Sequence, residues 1–169
     1  MSAPLEHILS QVARKGSWYG GGTAAALGLS VSAALLEKLA QQPKDQQRLR
    51  AIRHLGLRLA EQDAQVFARV IAASRLNGSG RRATALKQAI EIPYQVYQGA
   101  ASVLAIGRRF RRSIKPRFQS DVRCAIALAQ ASKDAAKGFV DANLAWLDDE
   151  RYSRLMRRRL KLSTAHARH

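Results

Sequence analysis

Three groups of residues in this 169-residue chain have types and spacings that could do chemistry. Asp63 falls four residues after Leu59, three before Val66 and four before Phe67, so a helix there sets a carboxylate on its own apolar stripe. An ionised carboxylate taken out of water must be paired, hydrogen-bonded or open to a wet cleft. Asp63 therefore reads either as a structural group bonded to a neighbouring helix or an arginine, or as a cleft acid with a displaced pKa suited to proton transfer. Spacing leaves both open. Ser120-Asp121 is the second group: Ser and Asp are ordinary capping residues, the favoured reading, yet Asp121 shares a stripe with Cys124, Ala125 and Leu128 that aims it inward. The third is Gly20-Gly21-Gly22-Thr23, directly before a helix. Three glycines permit close backbone approach, and free N–H groups at a helix start favour an anion or a carbonyl oxygen. The run lacks the lysine of a P-loop and the strand and spacing of a dinucleotide fingerprint, so a plain flexible turn is the competing reading. Trp18 and Tyr19 beside it offer either a flat surface for a ring or ordinary core.

Six helices must position these groups, in one all-α domain over residues 1–162 with a disordered basic tail at 163–169. The first runs from Pro4 to Arg14, with Leu5, Ile8, Leu9 and Val12 on one face. The second runs from Thr23, its expected N-cap, to Gln41; it is apolar nearly all round and reads as a buried central element whose small residues Ala24, Ala25, Gly28, Ser32 and Ala33 let neighbours come close. After Pro43 a third helix carries Leu49, Ile52, Leu55, Leu59, Val66, Phe67 and Val70 at helical spacing and ends near Leu76. Asn77-Gly78-Ser79-Gly80 is a turn by composition. The fourth helix spans 82–112, and Pro93 inside it should kink or divide it. The fifth starts near Ser120 with Cys124, Leu128, Ala131, Ala135, Phe139, Ala142 and Trp146 inward and Asn143 on its inner margin. The sixth, 148–162, is short and basic.

Composition narrows the function classes. Net charge is +17, unevenly placed: residues 1–80 carry ten Lys and Arg against five Asp and Glu, residues 81–169 nineteen against seven. Two clusters dominate, one from Arg108 to Arg117 and one from Arg151 to Lys161. Such a field attracts polyanions, whether nucleic acid, acidic membranes or multiply charged small molecules, or is simply a solvated basic surface. No nucleic-acid motif with interleaved aromatics accompanies it, so nucleic acid is not the favoured partner. The single cysteine, Cys124, rules out an internal disulfide, agrees with a reducing cytoplasmic setting, and is expected in the core. His7, His54, His166 and His169 show no ligand spacing, so no metal site is expected. The longest apolar stretch, Thr23 to Leu36, is shorter than the ~20 residues of a membrane span. Neither a cleaved leader nor a span is expected.

Taken in order, the glycine-threonine run before a small-residue helix, Glu61 to Phe67 with Arg75-Leu76 downstream, Ile92-Pro93, Ser120-Asp121 and Asn143-Leu144 resemble the cyclodeaminase/cyclohydrolase family of folate one-carbon metabolism, over residues 4–152. The resemblance implies an all-helical homodimer that needs no cofactor beyond its folate substrate. It implies that Gly20, Gly21, Gly22 and Thr23 contact a tetrahydrofolate derivative, possibly polyglutamylated. It also implies that Asp63 and Asp121 are catalytic in one cleft, and that Arg75, Ser120 and Asn143 are polar substrate contacts. The activity implied is that of a formiminotetrahydrofolate cyclodeaminase, a lyase, or a methenyltetrahydrofolate cyclohydrolase. One departure stands out: family members lead into the glycines with prolines, where this chain has Ser17-Trp18-Tyr19. The alternative is a non-catalytic relative serving as a basic module for RNA or an acidic partner.

Overall fold

The computed structural model describes residues 3–75 and 79–166. Among them there is no strand, and six helices follow in order: α1 (Ala3–Ala13), α2 (Gly21–Glu37), α3 (Pro43–Ser74), α4 (Ser79–Ser113), α5 (Gln119–Ala145) and α6 (Glu150–His166). A single 3-10 turn, Pro116–Phe118, leads into α5. Among the described residues no helix is long and apolar enough to cross a membrane.

α2 is the axis of the bundle, packed against α3, α4 and α5 and lightly against α1. Its small residues do what their size suggests. Gly28 lies under Ser132 of α5, and a Cβ at Gly56 of α3 would sit 2.8 Å from the Ala26 carbonyl oxygen of α2. Ser30 Oγ donates to the Arg53 carbonyl at 2.9 Å, tying the two backbones together. The expectation of a fully buried α2 needs correction, however. Three neighbours cover only part of its circumference, so Ala24 is exposed and Val31 is 51% exposed. Its start also differs: the glycines wind the first turn themselves, Gly20 is the extended N-cap, and Thr23 lies inside the helix, fully buried.

Proline shapes two elements. Pro43 opens α3, where its missing N–H costs nothing. Pro93 lies within α4, yet the helix continues through it rather than dividing. A proline at 93 leaves the Ala89 carbonyl without its helical donor. Asn143 of α5 supplies one instead, its Nδ2 donating to Ala89 O at 2.8 Å.

α5 is rotated from its expected phase by one residue. Val122, Ala125, Ala129, Ser132, Ala136, Val140 and Leu144 form its buried face, while Cys124, Ala131, Ala135, Ala142 and Trp146 are exposed. Alanines on both faces give the helix little hydrophobic contrast, and the small ones win the contact because they let α2 approach. Ser79 and Gly80, expected in a turn, are helical; Leu76, Asn77 and Gly78 lie outside the described residues. α6 docks on α4 through Met156 and Leu160. Arg159 donates to Glu91 at 2.6 Å while lying over the Tyr94 ring, and Tyr152 Oη donates to the same carboxylate at 3.1 Å. The helix runs past Leu162 to His166, with Ser163 Oγ donating to the Arg159 carbonyl. Of the tail expected to be disordered, only 167–169 lie outside the described residues.

Candidate functional site

The chemistry gathers at the N-terminal end of α2. Gly20 begins the helix, its carbonyl accepting from Ala24 N–H, which leaves the first-turn N–H groups pointing out of the helix without intrahelical acceptors. Asp63, midway along α3, meets that end. Thr23 Oγ1 donates to Asp63 Oδ2 at 3.1 Å, and the Thr23 backbone N–H donates to the same carboxylate. Gly22 makes the approach possible, since a Cβ there would lie 2.6 Å from Asp63 Cγ. Gly21 plays the same part toward α5, where its missing side chain leaves room for the Phe139 ring.

No cation accompanies this carboxylate: among the described residues Asp63 is in no ion pair. Burial therefore dominates and raises its pKa above the ordinary value of 3.8, against the two hydrogen bonds from Thr23, which lower it. Asp63 faces a hollow of about 40 Å³ that it shares with Val66, Phe67, Val70, Ala89, Ile92, Asn143 and Trp146. That volume admits a small group, not a fused ring system. The mouth is aromatic: Phe67 is 45% and Trp146 60% exposed, and Trp18 packs on Phe67 with ring centroids 6.0 Å apart, tilted at 57°.

Asp63, Gly21, Gly22, Thr23 and Asn143 are thus brought together, with Gly20 adjoining. Other expected members are not. Asp121 lies in the first turn of α5, 35% exposed, with its Oδ2 2.6 Å from Lys38 Nζ beyond the C-terminal end of α2. Thr23 and Lys38 are separated by about 22 Å of helical rise. The expectation that Asp63 and Asp121 share one cleft is therefore corrected: within one chain they occupy opposite ends of α2. The shared cleft was what the family resemblance implied; the alternative reading of Asp121, a polar group at the start of α5, agrees with its place in the first turn beside Lys38. Ser120 is exposed beside Asp121, and Phe118 rather than Ser120 is the N-cap, with no side-chain capping bond. Arg75 is exposed at the C-cap of α3, three turns beyond Asp63. The aromatic mouth was the part sequence spacing missed. Phe67 and Trp146 read as core stripe, and only their exposure separates them from it.

Comparison with known proteins adds two findings. Residues 4–162 match the formiminotransferase-cyclodeaminase family. The fold is similar to that of a formiminotetrahydrofolate cyclodeaminase from Thermotoga maritima, with a TM-score of 0.87 and 22% identity over 97% of this chain and 89% of that one. None of the curated proteins matches the sequence.

Proposed function

The chain belongs to the formiminotransferase-cyclodeaminase family, and from that premise we propose that it is a folate one-carbon enzyme working on the C–N bonds of the imidazoline ring, with Asp63 as its proton-transfer group. The observation that carries the reading is a carboxylate without a counter-cation, raised by burial, held by Thr23 and facing a hollow with an aromatic mouth. Trp146 and Phe67 would receive the flat ring system of the substrate, and only the reacting edge would enter.

As a cyclodeaminase, the enzyme would promote attack of the second folate nitrogen on the formimino carbon. That carbon becomes tetrahedral. Asp63 takes the proton from the attacking nitrogen and delivers it to the amino group, which leaves as ammonia and yields the methenyl compound. As a cyclohydrolase, it would take a proton from water attacking the cationic methenyl carbon and return it to the ring nitrogen that departs, while the remaining hydroxyl proton passes to solvent as the formyl C=O forms. Both are proton relays at one tetrahedral centre, and a carboxyl with a raised pKa is suited to both directions. Neither step transfers electrons, so the reading asks for no cofactor besides the folate. Gly20, Gly21 and Gly22 would lie along the substrate, while Asn143 would hold the wall in place through Ala89. The wider basic surface would draw in a polyglutamylated tail.

The reading extends to a homodimer and a cytoplasmic setting. Leu5 and Leu9 of α1 and Val31 of α2 are each exposed, apolar side chains that a second copy would cover. The test is to follow methenyl absorbance with purified protein given formimino- or methenyl-tetrahydrofolate. Turnover of either substrate, lowered by about a hundredfold or more in Asp63→Asn, is the expected result. No turnover of either above the Asp63→Asn level overturns the proposal.

A further inference from the structure

Away from Asp63, about 20 Å along α4 from Ile92 to Ala105 at helical rise, the start of α3 and the second half of α4, with Ser163 of α6, line a second and larger space. This groove measures about 850 Å³. Its walls carry Lys44, Arg48, Arg108, Arg109 and Arg112, five cations against one carboxylate, Asp45. Arg109 Nη2 already holds Asp45 Oδ1 at 2.6 Å, and that pair bridges α4 to α3. Arg48 Nη2 reaches Ser102 Oγ at 3.2 Å, so its guanidinium is oriented but not neutralised. Among the described residues no carboxylate lies within ion-pair reach of Lys44, Arg48, Arg108 or Arg112. The groove thus gathers like charges that repel one another, and among the described residues Asp45, already paired with Arg109, is the one carboxylate in its lining.

Its floor limits what could. Ala101, Ser102 and Ala105 are small, and no aromatic side chain lines the groove. A single-stranded nucleic acid would find no platform on which to stack a base. The three guanidinium forks not paired to a carboxylate, Arg48, Arg108 and Arg112, suit paired anionic oxygens, and the volume falls within the range of small-ligand sites. Phosphate groups put up to about two charges on each tetrahedral centre. They therefore match several cations in one compact groove better than a chain of single carboxylates does.

We propose that this groove is a binding site for a compact polyphosphate, a small molecule with two or more neighbouring phosphate groups, held by Lys44, Arg48, Arg108 and Arg112. It is separate from the Asp63 hollow and stands whether or not the folate reading holds.

The experiment is calorimetric titration of the full-length protein with inorganic tripolyphosphate at 150 mM salt. A parallel titration uses the tricarboxylate citrate. Saturable binding at one site per chain is expected, at least tenfold tighter than citrate, and weakened at least tenfold in Arg108→Ala/Arg112→Ala. These substitutions leave the Arg109–Asp45 bridge intact, and circular dichroism checks that the helices persist. A control, Arg157→Ala/Arg158→Ala on exposed α6, removes the same charge elsewhere and should leave binding within a factor of two. Equal losses in both variants, citrate binding as tightly as tripolyphosphate, or no saturable binding would each overturn the proposal. So would a single-stranded RNA oligonucleotide that outcompetes tripolyphosphate for the groove.

Discussion

The two ends of α2 each hold an aspartate, and they treat it in opposite ways. At the C-terminal end Asp121 meets Lys38 at 2.6 Å, with the two side chains 35% and 55% exposed. At the N-terminal end Asp63 meets a buried hydroxyl and a backbone N–H, with no cation, beside a hollow. Residue type is the same and so is the helix. Solvent and partner differ, and these decide whether a carboxylate is a surface charge or a reactive group. One end is held by ion pairs in water, the other by hydrogen bonds out of it.

The largest contrast expected is in turnover. Asp63→Asn should lower it by about 10²–10⁴-fold, the usual worth of a positioned acid–base group. Asp121→Asn should stay within about fivefold, the scale of an exposed ion pair. A single-turnover assay of both variants decides, and equal losses would erase the distinction. Next comes the wall of the hollow. Asn143→Leu should cost about 1 kcal/mol in urea unfolding, because it leaves the half-buried Ala89 carbonyl without a donor. Adding Pro93→Ala should recover most of that cost by restoring a helical N–H at position 93. Absence of recovery would break the link between the two. Gly22→Ala should cost about 1–3 kcal/mol by crowding the carboxylate, read in the same unfolding experiment, and should move the pH profile of turnover.

Acid dependence is a finer probe. A native pKa above the ordinary 3.8 means the folded chain holds the Asp63 proton more tightly than the unfolded one. That contribution to stability is present in full below 3.8 and is lost as pH climbs through the raised native value. As pH climbs through this range, the urea midpoint of the native protein should lose ground to that of Asp63→Asn. The smallest effect belongs to the other end: Lys38→Met should change stability by no more than about 1 kcal/mol, and less still in high salt.

Much of the fold was legible because periodicity and proline carry it. The stripe on α3 and the breaks at Pro43 and Pro116 needed no tertiary information. The phase of α5 was not legible, since alanine on both faces leaves the choice to whichever side lets α2 approach. The candidate site was half legible. Asp63 stood out by lying on an apolar stripe, and the glycines by preceding a helix. Their meeting, through Thr23 forty residues upstream, depends on how α2 crosses α3 and has no local signature. Asn143 looked like a candidate ligand contact. Its bond to Ala89 follows from Pro93, and only coordinates place those three residues together.

One consequence follows from Asp63 capping the first turn of α2. The partial positive pole of that helix, a natural harbour for a foreign anion, already has a carboxylate of the chain's own bonded at Thr23. A visiting molecule therefore meets a negatively polarised acceptor at the point where the helix end alone would offer donors. Selection at this mouth should favour guests that arrive carrying a positive charge or a hydrogen to give, and should turn away free sulfate or phosphate.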